Sequence, residues 1–85
     1  MNVGIPQPLR GYTRSERVEA EGSSVDELLH DLDRRYPGIR FRIVDEADRL
    51  RPHVRIFLNR ERVRSLDVAL EPTDEVEILQ GLSGG

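Results

Sequence analysis

One segment commits this chain to a two-layer fold. Between Ser24 and Tyr36, Val25, Leu28, Leu29 and Leu32 fall at i, i+3, i+4 and i+7. They line one side of a helix, and Tyr36 extends the stripe. Ser24 stands three residues before Glu27, which is the capping-box spacing. Asp26 and Glu27 in the first turn and Arg34 and Arg35 in the last complement the helix dipole. Pro37-Gly38 stops the helix. A single amphipathic helix must bury its stripe against something, and the remaining segments read as strands, so the partner is a sheet.

Those strands follow from period-two patterns and turn residues. Val3, Ile5 and Leu9 alternate over Met1 to Leu9, with Pro6 and Pro8 weakening the ladder from Pro6 onward. Gly11 to Ser15 reads as a turn, and Arg17 to Glu21 alternates again, so these two segments form a tightly linked hairpin. Ile39 to Pro52 reads as a short turn of helix or an irregular connection, followed by a charged, mobile loop. Val54 to Leu58 is a strand, Asn59-Arg60 a turn, and Arg62 to Arg64 a short strand. Leu66, Val68 and Leu70 lie in a connection suited to plug the core. Pro72-Thr73-Asp74 turns the chain into a last strand, Glu75 to Leu79. The helix after the first hairpin lets the first and last strands lie parallel and adjacent. The expected architecture is α+β, a β-grasp, ubiquitin-like fold: a mixed four- to five-stranded sheet with one main helix on one face. Residues 1–80 make the domain and residues 81–85 a flexible C-terminal tail.

Length and composition narrow the function. With 85 residues the chain holds one thin core and no deep cleft beside it. No apolar run is long enough to span a membrane, and the N-terminus lacks the apolar stretch of a signal peptide. The absence of cysteine removes disulfides and thiol chemistry and suits a reducing cytoplasm. A net charge of −3 argues against a nucleic-acid footprint. All thirteen cations are Arg, for which a coding bias is the plainer source. Arg stays protonated, so the Met1 amine is the one strong amine nucleophile.

Catalytic groups are sparse. His30 flanks the helix and His53 precedes a strand, and neither is paired with a serine. Asp45, Glu46 and Asp48 lack the calcium-loop pattern and read as a solvated loop, so no metal site is expected. Arg49, Arg51, Arg55 and Arg60 lack the glycine loop or interleaved aromatics that would make them an anion site. Nothing here amounts to an enzyme.

What remains is the end of the chain, Leu79-Gln80-Gly81-Leu82-Ser83-Gly84-Gly85. A strand running into this end projects the terminal carboxylate from the body, and residues 81–85 extended reach ~17 Å. Gly84 and Gly85 lack Cβ atoms, so the pair fits a channel too narrow for other residues. A carboxylate delivered that way suits adenylation, because AMP is a good leaving group where the free carboxylate has none. The strand faces add a second clue. With Val54, Ile56, Val76 and Ile78 toward the helix, Phe57 and Leu79 lie on the open face. Together with Leu82 and Gly81 they read as a partner-binding patch.

The chain resembles the MoaD/ThiS family of ubiquitin-like sulfur carriers over most of its length. The resemblance rests on Val3-Gly4-Ile5-Pro6 with Leu9-Arg10, on Tyr36-Pro37-Gly38-Ile39, and on Val54-Arg55-Ile56-Phe57-Leu58-Asn59. Its most specific part is Asp74-Glu75-Val76-Glu77-Ile78-Leu79 leading to Gly84-Gly85. The connection from Ile39 to His53 is most similar to the CysO-type subgroup. The resemblance implies a carrier that binds no cofactor of its own. A MoeB/ThiF-type adenylating enzyme would use ATP to activate Gly85, and a sulfur donor would then convert it to a thiocarboxylate. Sulfur would pass to a cysteine-synthase-like or a molybdopterin-synthase-like acceptor, with the cysteine or thio-metabolite route ahead of molybdopterin. A zinc-dependent protease cleaving after Gly85 is a further implied partner. Gln80 and Gly81 stand where many relatives carry a proline-containing pair, which implies a more flexible neck. Two other functions remain open: a ubiquitin-like modifier conjugated through Gly85, and a passive β-grasp interaction domain.

Overall fold

The computed structural model describes residues 1–81. The chain runs β1 (Asn2–Gly4), a 3-10 turn (Gln7–Leu9), α1 (Arg10–Thr13), β2 (Arg17–Glu19) and α2 (Val25–Arg35). It continues through α3 (Ile39–Ile43), β3 (Val54–Leu58), β4 (Glu61–Val63) and β5 (Val76–Gln80). The strands form one mixed sheet in the order β2-β1-β5-β3-β4. β1 and β5 are parallel, and every other pair is antiparallel. This is the expected β-grasp, with five strands. The α2 stripe is buried as its spacing requires: Val25, Leu28, Leu29 and Leu32 are at most 1% exposed. They pack with Val3, Ile56, Val76 and Ile78 from the sheet in one core.

The start of α2 is held from two sides. The Glu27 N–H donates to Ser24 Oγ, while Glu27 Oε1 accepts from the Ser23 N–H. The reciprocal bond of the capping box thus lands one residue earlier than the usual pattern. The next free donors of the helix turn to the 65–70 connection: Val25 N–H donates to the Val68 carbonyl and Asp26 N–H to that of Leu66. Leu70 is buried there, with Leu66 and Val68 packed against the core, so this connection plugs the core as the sequence suggested.

Several boundaries differ from the sequence reading. β1 stops at Gly4, because Pro6 has no N–H for the ladder and leads into the 3-10 turn. Leu9 reaches the core through that turn rather than by strand alternation. The link between β1 and β2 is not a tight turn. It carries α1 and ends with Arg14 in the left-handed region, φ 59°. β4 begins one residue earlier than expected, and β5 lies one residue later.

The charged loop after α3 has an internal frame. Val44 and Leu50 bridge its ends, and the Asp45 carboxylate accepts the N–H groups of Ala47 and Arg49. Those bonds, that of Arg49 foremost, hold the Asp45 carboxyl below the usual carboxylate range. The Asn59-Arg60 turn has both residues at positive φ, 49° and 73°, as a two-residue hairpin loop requires. The Asn59 side chain then bonds Asp74 and accepts the Glu75 N–H, which fixes where β5 begins.

Two predictions follow from these contacts. Leu29→Ala removes a fully buried side chain and is expected to cost ~2–5 kcal/mol by urea unfolding. The second concerns Asp31, which accepts the Glu21 N–H and pairs with Arg34 and Arg35, tying the end of β2 to α2. The Glu21 bond is the main cause that lowers its carboxyl from 3.8 to about 2. A pKa depressed in the folded state stabilises above the unfolded value and is lost as pH falls through the folded one. Stability should therefore decline between pH 3.8 and about 2. Asp31→Asn is expected to flatten that limb of the acid titration; an unchanged limb would refute the assignment.

Candidate functional site

β5, the strand that precedes the C-terminal residues, lies in the middle of the sheet. β5 lies between β1 and β3, and its pairing with β3 runs from Leu58↔Val76 to Val54↔Gln80. The ladder carries one step further: the Gly81 N–H donates to the His53 carbonyl at 2.8 Å. A proline at position 81 would lack that donor. Gly81 is therefore placed. Leu82, Gly84 and Gly85, the other tail residues singled out in the sequence, lie outside the described residues.

The face of the sheet away from α2 is set by alternation. Val54, Ile56, Val76 and Ile78 are buried beneath the helix, which leaves Arg55, Phe57, Glu77 and Leu79 on the open side. The register pairs Arg55 with Leu79 and Phe57 with Glu77 across β3 and β5. On the far side Phe57 faces Arg62 of β4. Leu79 is 47% exposed and Phe57 half-buried. Both line a shallow groove of about 680 Å3, together with Arg55, Gly81 and the Pro6–Pro8 segment. The structure thus brings together Phe57, Leu79 and Gly81, the three described members of the expected patch.

Gly4 shapes the groove's other wall. Glu77 reaches across β1 to Arg17, with Oε1 2.6 Å from the guanidinium. A Cβ at position 4 would come 2.0 Å from Glu77 Oε2, so only glycine lets the carboxylate lie there. Arg17 also bonds the Asn2 side chain.

The other candidate groups are not assembled into a site. His30 lies on the exposed side of α2, with Nε2 3.6 Å from Asp26. His53 contributes its carbonyl to the tail's exit rather than its ring. Arg49 pairs with Asp45, Arg51 stacks on Phe41 at 4.6 Å, and Arg60 occupies the hairpin turn. Among the described residues no cluster of three or more metal-ligating side chains occurs. No helix among them is long and apolar enough to cross a membrane.

Sequence reasoning missed two features. Phe41 is 59% exposed and lines, with Arg42, Arg51 and Gln80, a second hollow beside the end of β5. α3 has five residues, too few for a stripe that would have marked Phe41 as outward. Arg62 belongs to the expected short strand, but its place beside Phe57 follows only from the two-residue turn at Asn59-Arg60.

Comparison with known proteins places this geometry. The description of the ThiS family matches residues 3–85. The sulfur carrier protein CysO of Mycobacterium tuberculosis is 34% identical over 91 residues, covering 100% of this chain and 98% of that one. The crystal structure of the Amycolatopsis orientalis BexX/CysO complex contains a chain 34% identical, with a TM-score of 0.91 over 99% of this chain and 98% of that one. The solution structure of small archaeal modifier protein 1 from Methanosarcina acetivorans is 26% identical, with a TM-score of 0.83 over 99% and 94%.

Leu79 stands on the open face, so Leu79→Ala is expected to change unfolding free energy by no more than about 0.5 kcal/mol. A loss comparable to that of a core leucine would mean the strand faces are reversed.

Proposed function

This chain belongs to the ThiS family, and we propose that it carries sulfur as a thiocarboxylate on Gly85. It is a carrier and cosubstrate rather than an enzyme. The observation that supports this most directly is its full-length likeness to a sulfur carrier protein. The fold supports it too, because the strand leading to the Gly-Gly end is central and held through Gly81.

The chemistry needs a separate adenylating protein of the MoeB/ThiF type. The Gly85 carboxylate attacks the α-phosphorus of ATP and pyrophosphate leaves. Hydrosulfide then attacks the acyl carbon of the adenylate, the bond to AMP breaks, and a thiocarboxylate results. The step belongs to the partner's nucleotide site; this chain supplies the acyl group and the surface that is recognised. Gly84 and Gly85 pass the narrow channel because neither has a Cβ. Phe57, Leu79, Gly81 and Leu82 form the docking patch beside it.

Cysteine or a thio-containing metabolite is the favoured destination of the sulfur, through a cysteine-synthase-like acceptor, with a molybdopterin-synthase-like acceptor second. A zinc-dependent protease cutting after Gly85 would free the carrier from its product. We place this work in the cytoplasm, where ATP and reduced sulfur are both present. That a related CysO was crystallised with BexX supports a life docked on protein partners. The likeness to an archaeal modifier keeps one second reading, conjugation of Gly85 to amines.

Mass spectrometry after incubation with the adenylating enzyme, ATP and sulfide separates the two. The carrier reading predicts a product heavier by the exchange of one oxygen for sulfur. Isopeptide adducts without that species would favour the modifier. In a binding titration against the same enzyme, Phe57→Ala and Leu79→Ala are expected to weaken the complex by ~1–2 kcal/mol each. Unchanged binding in both would remove the patch from the account.

A further inference from the structure

The open face carries a charge arrangement that the patch alone does not explain. β4 follows β3 through a two-residue turn, and Phe57 pairs with Arg62. The ladder ends at Ile56↔Val63, with Arg64 the next residue of the chain, and the charges of both Arg64 and Arg55 are felt at Arg62. Three exposed arginines therefore gather around Arg62, the cross-strand neighbour of Phe57. Like charges set across neighbouring strands repel. Among the described residues none of the three has an acidic partner within ion-pair distance. Glu77, the acid on the adjoining strand, is turned away to Arg17.

The Arg62 guanidinium is held below the usual arginine range, by desolvation first and then by the charges of Arg64 and Arg55. Elsewhere on the surface arginines are met by acids: Asp31 pairs with Arg34 and Arg35, and Asp26 and Asp48 pair with Arg40.

We propose that Arg55, Arg62 and Arg64 form a cationic rim that docks an acidic surface of a protein partner around the Phe57–Leu79 centre. An apolar centre with a charged rim is the anatomy of a protein interface. Complementary charge steers encounter and sets register. The rim also touches the tail's origin. A Cβ at Gly81 would lie 3.8 Å from Arg55 Nη1, so whatever pairs with Arg55 sits beside the point where the tail departs. Nucleic acid fits less well, since three arginines with one half-buried aromatic give no stacking track. The identity of the partner rests on the carrier reading, whereas its acidic character rests on the sheet alone.

Two arms test this separately. In the first, ATP–pyrophosphate exchange by the adenylating enzyme is followed against carrier concentration at low and high salt. For the native chain KM should rise with salt. The triple variant R55E/R62E/R64E should raise KM about tenfold at low salt and invert its salt dependence, KM falling as salt screens the new repulsion. A native KM indifferent to salt, together with a triple variant of unchanged KM, overturns the rim. No exchange with the native chain would sink the carrier reading instead, and the second arm then decides the rim alone. There the full chain is titrated with poly-L-glutamate and, separately, with a single-stranded DNA oligonucleotide, and amide shifts are mapped by NMR. Poly-L-glutamate shifts centred on Arg55, Phe57, Arg62 and Arg64, absent in R55Q/R62Q/R64Q, support the proposal. Shifts elsewhere, none, or tighter binding of the oligonucleotide overturn it. Retained amide dispersion in both triple variants verifies that they fold.

Discussion

The parallel pairing of β1 with β5 is the contact on which the rest depends. It is short, Val3↔Val76 and Gly4↔Glu77, but it closes the sheet across its middle. Without it the chain is two separate hairpin-like units with α2 bridging nothing. Val3 and Val76 are both buried under α2, so the helix holds the register. A slip of one residue would turn Val76 and Ile78 outward and bring Glu77 and Leu79 inward. The same register puts Glu77 over Gly4 and within reach of Arg17.

Among the described residues the core is wholly apolar and no charged residue is buried in it. The chain's many ions are therefore surface groups, free to organise local structure or to meet partners. Asp31, Asp45 and Asp74 take the first course: each accepts backbone N–H groups that would otherwise lack a partner. Arg55, Arg62 and Arg64 are the ones proposed for the second. One face of the sheet holds the protein together under α2, while the opposite face stays open beside Gly81, so a partner docked there as proposed would also meet the C-terminal residues.

Much of this was legible in the sequence for stated reasons. The α2 stripe and its Ser24 cap were unambiguous because periodicity, capping and a Pro-Gly stop agreed. The faces of β3 and β5 follow from alternation, so the sequence alone puts Phe57 and Leu79 on the open side. The segment from Ile5 to Glu16 was not legible. Val3, Ile5 and Leu9 fit a period of two, yet Leu9 enters the core on a helical turn, and α1 buries no residue that would have marked it as a helix. The gathering of Arg62 with Arg55 was hidden too, since it comes from a turn's length and not from the spacing of the arginines. Asp45 looked like one more charge in a solvated loop, because its role depends on where the Ala47 and Arg49 amides point.

The central claim is that the acid group of Gly85 is the reactive end of this molecule. A semisynthetic chain ending in a glycine carboxamide, differing from the native one by a single functional group, tests it most directly. Presented to the adenylating enzyme with ATP, it should bind and release no pyrophosphate, while the native chain turns over. Pyrophosphate release from the carboxamide at the native rate would contradict the account.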